Sequence, residues 1–249
     1  MNKALIPYIC AGDPDLETTK ELIFTLEEAG ANIIELGIPF SDPLADGPVI
    51  QAAGQRALEQ GINLTDIFRM VAEVREETDI PLVLMGYYNS ILNYGREKFI
   101  ADSVEAGADG VIVPDLPYEE DGEFYEKMQK EDIAGILLAA PNTSADRLEY
   151  LGEKSSGFLY CVSLLGVTGD KKGPYERLDE YINRVREKVD LPLGLGFGID
   201  SPEKAAAVSE YVDGIIMGSA IIEVINNSDD GEDLNTSVGE FVAEIKDAI

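Results

Sequence analysis

The fold is decided by a pattern that first appears in residues 5–37, LIPYICAGDPDLETTKELIFTLEEAGANIIELG. The two ends of this segment, 5–10 and 32–37, are β-type apolar runs, and the stretch 16–29 between them has the apolar periodicity of an amphipathic helix. A helix that connects two consecutive strands of one sheet leaves those strands parallel. The segment therefore predicts a strand–helix–strand unit.

The same alternation continues along the chain. Eight β-type runs occur, at residues 5–10, 32–37, 82–85, 110–113, 135–139, 158–162, 191–194 and 214–217. Helical patterns lie between them, including 16–29, 67–78, 96–106, 122–130 and 175–188. Right-handed crossovers and short connections favour closure of eight such units, so we expect an α/β protein with a single-domain (β/α)8 TIM barrel over 1–249. An open, doubly wound sheet is the alternative.

Two connections are longer than simple turns. They span 38–49 and 163–174, and each leaves the carboxyl end of a predicted strand, the face where barrel active sites lie. The polar, acidic segment 226–237 is expected to be a flexible insertion before a final helix at 238–249.

The charge balance excludes several partners. The chain has 48 acidic and 19 basic residues, and its net charge of −29 repels nucleic acid and the anionic surface of membranes. No apolar run approaches the ~20 residues that a membrane helix needs. The N-terminus enters the first strand without room for a signal sequence, so we expect a cytoplasmic location.

The residue inventory also limits the chemistry. The chain has no histidine, which excludes imidazole bases, Ser-His-Asp and Cys-His nucleophile systems and metal sites with histidine ligands. Cys10 and Cys161 lie in apolar runs and are expected to be buried hydrophobic residues. All eleven lysines fall in predicted helices, loops or termini, so Schiff-base chemistry from a strand is not expected.

Glu35 and Asp46 are the first candidates for proton transfer. Side-chain alternation places Ile33 and Glu35 on one face of the second strand. If that face points into the barrel, desolvation raises the pKa of the carboxyl group toward the range of a general acid or base; otherwise Glu35 is an exposed or structurally paired residue. Asp46 follows eleven residues later, on a loop stiffened by prolines, and could lie over Glu35.

Glycine-containing segments follow the last three predicted strands, at 166–169, 194–198 and 217–220. Barrel enzymes hold phosphate at such loops and at a helix N-terminus, where backbone N–H groups reach the oxygens. Ser201 stands before a proline, as a helix N-cap would, and Ser219 could begin another helix. Together these features favour a phosphate site over ordinary turns.

Five motifs resemble the successive signatures of the tryptophan synthase alpha chain family. They are PYICAGDP at 7–14, ELGIPFSDPLADGP at 35–48, GVTG at 166–169, GFG at 196–198 and GSA at 218–220. The fourteen-residue motif is highly specific, and the resemblance covers nearly the whole chain.

The resemblance implies a lyase of tryptophan biosynthesis that splits indole-3-glycerol phosphate into indole and glyceraldehyde 3-phosphate. It implies that Glu35, Asp46 and Tyr160 are catalytic. Positions resembling those around the indole ring are Tyr8, Tyr87, Thr168 and Phe197. Positions resembling the phosphate site are Gly169, Gly198, Gly218 and Ser219. No metal or cofactor is implied on this chain; the implied partner is a pyridoxal-phosphate beta subunit, in a complex of two alpha and two beta subunits.

Two features depart from the family pattern. The segment before the first strand is shorter than is common, and Leu164 and Leu165 stand where more polar residues are expected.

Three other functions are open: another phosphate-binding barrel such as a sugar-phosphate epimerase or isomerase, a catalytically silent activator of the beta subunit, and a magnesium–diphosphate site. The last would use Asp13, Asp42, Asp46 and Asp115.

Overall fold

The computed structural model describes residues 3–162, 174–196, 198–228 and 233–249. The described residues form nine strands: β1 Ala4–Cys10, β2 Ile34–Gly37, β3 Leu82–Met85, β4 Gly110–Ile112, β5 Ala134–Ile136, β6 Leu138–Ala139, β7 Leu159–Val162, β8 Leu193–Gly196 and β9 Gly214–Met217. They also form eleven helices: α1 Leu16–Glu28, α2 Pro48–Glu59, α3 Leu64–Arg75, α4 Tyr88–Tyr94, α5 Arg96–Ala106, α6 Gly122–Lys130, α7 Ala145–Lys154, α8 Pro174–Arg186, α9 Pro202–Ser209, α10 Ser219–Asn227 and α11 Leu234–Asp247.

The strands form one parallel sheet in the order β5-β4-β3-β2-β1-β9-β8-β7-β6. Its two terminal strands, β5 and β6, are separated along the chain by Leu137 alone, whose carbonyl accepts a 3.0 Å hydrogen bond from the backbone N–H of Tyr160. The strand predicted at 135–139 is therefore divided, because β5 pairs with β4 and β6 pairs with β7. This division closes the sheet, and the expected (β/α)8 barrel is confirmed.

Several element boundaries differ from the sequence predictions. β8 begins at Leu193 rather than at 191, because Pro192 has no N–H to donate to the neighbouring strand. The helix α2 was missed because its buried face consists of the small residues Ala53, Gly54 and Ala57, which give a weak apolar signal.

The predicted insertion at 226–237 is shorter in the structure. Residues 226 and 227 belong to α10, and α11 begins at Leu234 rather than at 238. Leu234 precedes Val238, Val242 and Ile245 at helical spacing on the inward face, so the intervening polar residues do not interrupt the helix. Residues 229–232 lie outside the described residues.

Side-chain alternation divides the apolar residues into two layers. One cluster lines the barrel interior and contains Ile6, Val83, Ile112, Ile136, Phe158, Tyr160 and Ile216, all buried. The larger cluster lies between the strands and the surrounding helices. Ile33 packs against the interior cluster, so the face of the second strand that carries Ile33 and Glu35 points into the barrel, which the sequence alone left open.

Two glycines make room for two buried tyrosine rings at the carboxyl ends of the strands. Gly37 and Gly196 lie against the hydroxyl ends of Tyr8 and Tyr160, and a Cβ at either glycine would come within 2.2 Å of the neighbouring tyrosine oxygen. A side chain at either position would occupy the same space as a buried ring. The two glycines therefore allow both tyrosines to lie inside the barrel.

We expect Gly196→Ala to lower the free energy of unfolding by about 1–3 kcal/mol, because the buried Tyr160 ring must move to admit a methyl group. Gly54→Ala is the matched control, because Gly54 lies in a helix and the nearest atom outside that helix, the Phe40 carbonyl oxygen, would be 4.0 Å from the new Cβ. Urea denaturation of both variants tests this. Equal stability of Gly196→Ala and the wild type would contradict the tight packing.

Candidate active site

Three side chains converge where the barrel interior opens. Tyr8 on β1 is the register partner of Glu35 on β2, and Tyr160 approaches from β7. Together with Asp46 they line a cavity of about 190 Å³, whose wall is otherwise mainly apolar, with Ile50, Met85 and Ile216 among its residues. The cavity lies at the carboxyl ends of the strands, as expected for a barrel active site.

Glu35 is the buried carboxyl group of this cavity. Its exposed fraction is 1%, and its Oε2 atom has no hydrogen-bond partner within the described part of the chain. Burial, and secondarily the charge of Asp46, raises its pKa from 4.5 to about 8. Near neutral pH the folded protein therefore holds Glu35 mostly protonated.

Asp46 lies on the 38–47 loop, which Tyr87 holds against the barrel. The Tyr87 hydroxyl accepts a 3.0 Å hydrogen bond from the backbone N–H of Ala45, and its ring stacks on Phe40 at 5.3 Å between centroids. Gln51 donates a 2.8 Å hydrogen bond to the Asp46 carbonyl. Tyr87 does not line the cavity; its contacts are with the loop that carries Asp46.

The two carboxyl groups differ in environment. Partial burial raises the pKa of Asp46, whereas a hydrogen bond from Tyr87 opposes that shift. Among the described residues, no hydrogen bond to Glu35 Oε2 compensates in this way, and Glu35 is more deeply buried. The pair can therefore exist with Glu35 protonated and Asp46 ionised, which is the arrangement of a proton donor beside an electrostatic partner.

Backbone donors lie at the other end of the cavity. Gly198, Gly218 and Ser219 line it, and α10 begins at Ser219 with Gly218 as its N-cap. The backbone N–H groups of the first turn have no carbonyl partner within the helix, because the first helical bond runs from Ile222 to the Gly218 carbonyl. Such N–H groups favour an anion. The predicted N-cap Ser201 is confirmed at α9, 3.4 Å from the N–H of Lys204.

Two further carboxylates line the same cavity, and sequence reasoning missed both. Asp200 is paired with Lys204 at 2.5 Å, whereas no ion pair to Glu223 occurs among the described residues. Glu223 follows Ser219 by one helical turn, and this spacing is the signal that could have placed it beside the cavity. An anion at the N-terminus of α10 would therefore approach an uncompensated negative charge.

Three sequence-predicted residues, Thr168, Gly169 and Phe197, lie outside the described residues. Leu164 and Leu165, which depart from the family pattern, lie outside them as well.

The four aspartates of the magnesium hypothesis all belong to the described part of the chain. Asp13 is bound by Arg56, Asp42 by Ser41, and Asp115 accepts from the N–H of Tyr88. They do not come together, and the described residues contain no group of three or more acidic or cysteine side chains placed to hold a metal ion.

The family is decided by comparison with known proteins. A family model described as tryptophan synthase alpha chain matches residues 1–249. The chain belongs to the tryptophan synthase alpha chain family. It is 56% identical over 246 residues to the tryptophan synthase alpha chain of Petrotoga mobilis, covering 98% of this chain and 95% of that protein.

Solved structures of tryptophan synthase chains have the same fold as this chain. The crystal structure of tryptophan synthase subunit alpha from Legionella pneumophila is 41% identical with a TM-score of 0.92, covering 99% of this chain and 92% of that one. A chain of the tryptophan synthase complex from Pyrococcus furiosus is 37% identical with a TM-score of 0.87, covering 98% and 99%.

The family supplies the reaction. Tryptophan synthase alpha chains are lyases that split indole-3-glycerol phosphate in tryptophan biosynthesis. Pyridoxal phosphate belongs to the beta subunit, the expected partner, and the alpha chain has no cofactor of its own. In the described part of this chain, no helix is long and apolar enough to cross a membrane.

We expect Glu35→Gln to change the pH dependence of stability. In the wild type, the folded chain holds the Glu35 proton more tightly than the unfolded chain, and this stabilisation is complete below pH 4.5, falls as pH rises and is lost above about pH 8. Glutamine has no such titration. The free energy of unfolding of Glu35→Gln, relative to the wild type, should therefore rise by roughly 4 kcal/mol from pH 4.5 to 8.

Urea titrations at several pH values measure this difference. The exposed Glu105 provides the control variant Glu105→Gln, because its carboxyl group is in water in both states. A difference between Glu35→Gln and the wild type that is constant with pH would show that Glu35 ionises normally in the folded protein.

Proposed function

We propose that this chain cleaves indole-3-glycerol phosphate with Glu35 as the proton donor and Asp46 as its electrostatic partner. The observation that supports the proposal is the pairing of a buried, protonated carboxyl group with a more exposed one across a largely apolar cavity. An indole ring is apolar and has one N–H group, so this cavity matches its chemistry.

In the proposed reaction, Glu35 first transfers its proton to C3 of the indole ring. Positive charge then develops on the ring nitrogen, and Asp46 accepts a hydrogen bond from the indole N–H and stabilises that charge. The hydroxyl group on the adjacent side-chain carbon next gives its proton to the Glu35 carboxylate. The carbon–carbon bond breaks, its electron pair restores the indole ring, and the oxygen becomes the aldehyde of glyceraldehyde 3-phosphate.

The tyrosines of the site remain protonated in this scheme. Burial raises the pKa of both Tyr8 and Tyr160 well above the usual value, and the charges of Glu35 and Asp46 add to the shift. Tyr160 therefore acts as a hydrogen-bonding hydroxyl beside the carboxyl pair rather than as a base. Tyr8 contributes to the wall around the ring, and Tyr87 acts through the Asp46 loop.

The phosphate is proposed to bind at Gly198, Gly218 and Ser219, completed by Gly169. This assignment is supported by the N–H groups at the start of α10, which have no carbonyl partner within that helix, and by the cavity that these residues share with Glu35. Thr168 and Phe197 are proposed to contact the indole ring, on the family resemblance alone.

We further propose that the 249 residues form a single domain and that the protein is cytoplasmic. One closed sheet runs through the described chain, which supports one domain. Both cysteines, Cys10 and Cys161, are free and buried, as is usual for proteins of a reducing compartment.

Substitutions at the three catalytic positions test the mechanism. We expect Glu35→Gln to abolish cleavage with little loss of substrate binding, because the shape is kept and the proton is lost. Asp46→Asn should lower kcat by about 100-fold or more, whereas Tyr160→Phe should be milder because its ring remains. In the wild type, kcat/KM should fall above about pH 8, where free Glu35 loses its proton.

The measurement is steady-state release of indole by the isolated chain, which also tests whether the chain is a silent activator. Near-normal turnover by Glu35→Gln would refute the proposed acid, and a change confined to KM in Asp46→Asn would reduce Asp46 to a binding residue. Turnover of a sugar phosphate without indole would favour the epimerase or isomerase function.

Glu223→Gln should lower KM for indole-3-glycerol phosphate by roughly two- to tenfold at low salt, because an unpaired negative charge no longer repels the phosphate. The effect should shrink as potassium chloride rises from 0.01 to 1 M, where the screening length falls from about 30 to about 3 Å. Glu105→Gln changes the net charge equally away from the cavity. If both variants shift KM alike, the overall charge of −29, and not Glu223, determines substrate affinity.

A further inference from the structure

An ion pair between a buried carboxylate and a partly exposed arginine lies outside the proposed catalytic cavity, at the far end of α2 from Asp46. Arg56 donates from Nε to Asp13 Oδ1 at 2.7 Å and from Nη2 to Asp13 Oδ2 at 2.8 Å. The Asp13 side chain is 1% exposed, and that of Arg56 is 35% exposed. Two parallel hydrogen bonds between planar groups fix both distance and orientation.

The anchor that Asp13 provides is itself rigid. Asp13 lies three residues after the end of β1, and its N–H donates to the Cys10 carbonyl at 3.2 Å. The adjacent Gly12 N–H donates to the hydroxyl of the buried Thr19 at 3.0 Å, and that hydroxyl donates to the Asp15 carbonyl at 2.7 Å. Asp13 is therefore held in a short loop whose polar groups are satisfied, at the end of the strand that pairs with the Glu35 strand.

The apolar contacts of α2 are too small to fix the orientation of this helix by themselves. Its buried residues are Ala53, Gly54 and Ala57, and Ile50 is only partly buried. Small side chains bury little apolar area and interlock weakly with their neighbours. A bidentate ion pair at one end of the helix can supply the position that such packing leaves undefined.

We propose that the Asp13–Arg56 pair is a positioning device that holds α2 so that Asp46, at the helix's other end, lies over Glu35. A continuous connection runs from Glu35 through β2 and β1 to Asp13, across the ion pair to Arg56, and back along α2 to Asp46. Gln60 adds a second contact by donating to the Pro14 carbonyl. Because a buried ion pair adds little net stability, its main contribution here is geometric.

This proposal rests on the proposed function, and Arg56→Lys tests it. Lysine keeps the charge but cannot form the two-point contact, so we expect kcat for indole-3-glycerol phosphate to fall roughly 10- to 100-fold, as for small displacements of a catalytic group. Arg69→Lys is the matched control, since Arg69 forms an exposed i,i+3 pair with Asp66 on α3. Asp13→Asn, with Asp66→Asn as its control, gives a second and more disruptive variant.

The pH profile separates positioning from a general loss of structure. Glu35 faces Asp46, Tyr8 and Tyr160 in the cavity, and of these the Asp46 charge adds to the raised pKa of Glu35. If Asp46 moves away in Arg56→Lys, the basic limb of kcat/KM should move below its wild-type position near pH 8.

If Arg56→Lys has a reduced kcat but the basic limb of its kcat/KM profile stays at the wild-type pH, the proposal is overturned. That result would show a loss of stability without displacement of Asp46. Wild-type kcat and profile in Arg56→Lys would overturn it as well, while leaving the proposed reaction intact. The proposed reaction fails separately if the wild-type chain itself releases no indole.

Discussion

The structure depends on one desolvated carboxyl group at the open end of an apolar barrel. Closure of the parallel sheet turns the alternating side chains of every strand into an inner and an outer layer, and the inner layer is apolar except near its rim. Glu35 occupies that rim, and one of its oxygens has no hydrogen-bond partner within the described ranges of the chain. The same closure that builds the core therefore produces the raised pKa of Glu35.

The overall negative charge of the molecule repels an anion, whereas the proposed phosphate site attracts one. A net charge of −29 and the carboxylate of Glu223 repel an anionic substrate over a long range, whereas the backbone N–H groups that are proposed to bind it, at Gly218 and Ser219, attract it only at contact. Glu35 reduces this conflict because it is largely uncharged near neutral pH. A substrate phosphate must therefore be selected by short-range geometry, which favours ligands that fill the apolar end of the cavity at the same time.

Sequence patterns predicted the barrel and placed Ile33 and Glu35 on one face of the second strand, because strand alternation and helical periodicity depend on local spacing alone. They left open whether that face points inward. They did not predict α2, whose small buried face lacks that periodicity, nor the division of the fifth strand at Leu137, which depends on the two neighbours it pairs with. The contact of Tyr87 with the Asp46 loop and the partnership of Asp13 with Arg56 join residues more than 40 positions apart. Such pairings arise only when the barrel closes.

The two proposed catalytic carboxyl groups are carried by different kinds of structure, and their chemistry explains the difference. Glu35 must remain desolvated to keep its proton, so it lies on a strand hydrogen-bonded on both sides, where water cannot follow it. Asp46 must stay ionised yet reach a charge that develops only in the transition state, so it lies on a loop with partial access to water. A loop alone would place it poorly. The contact with Tyr87 on one side and the attachment to α2 on the other reconcile access with position, and proline residues stiffen the loop between them.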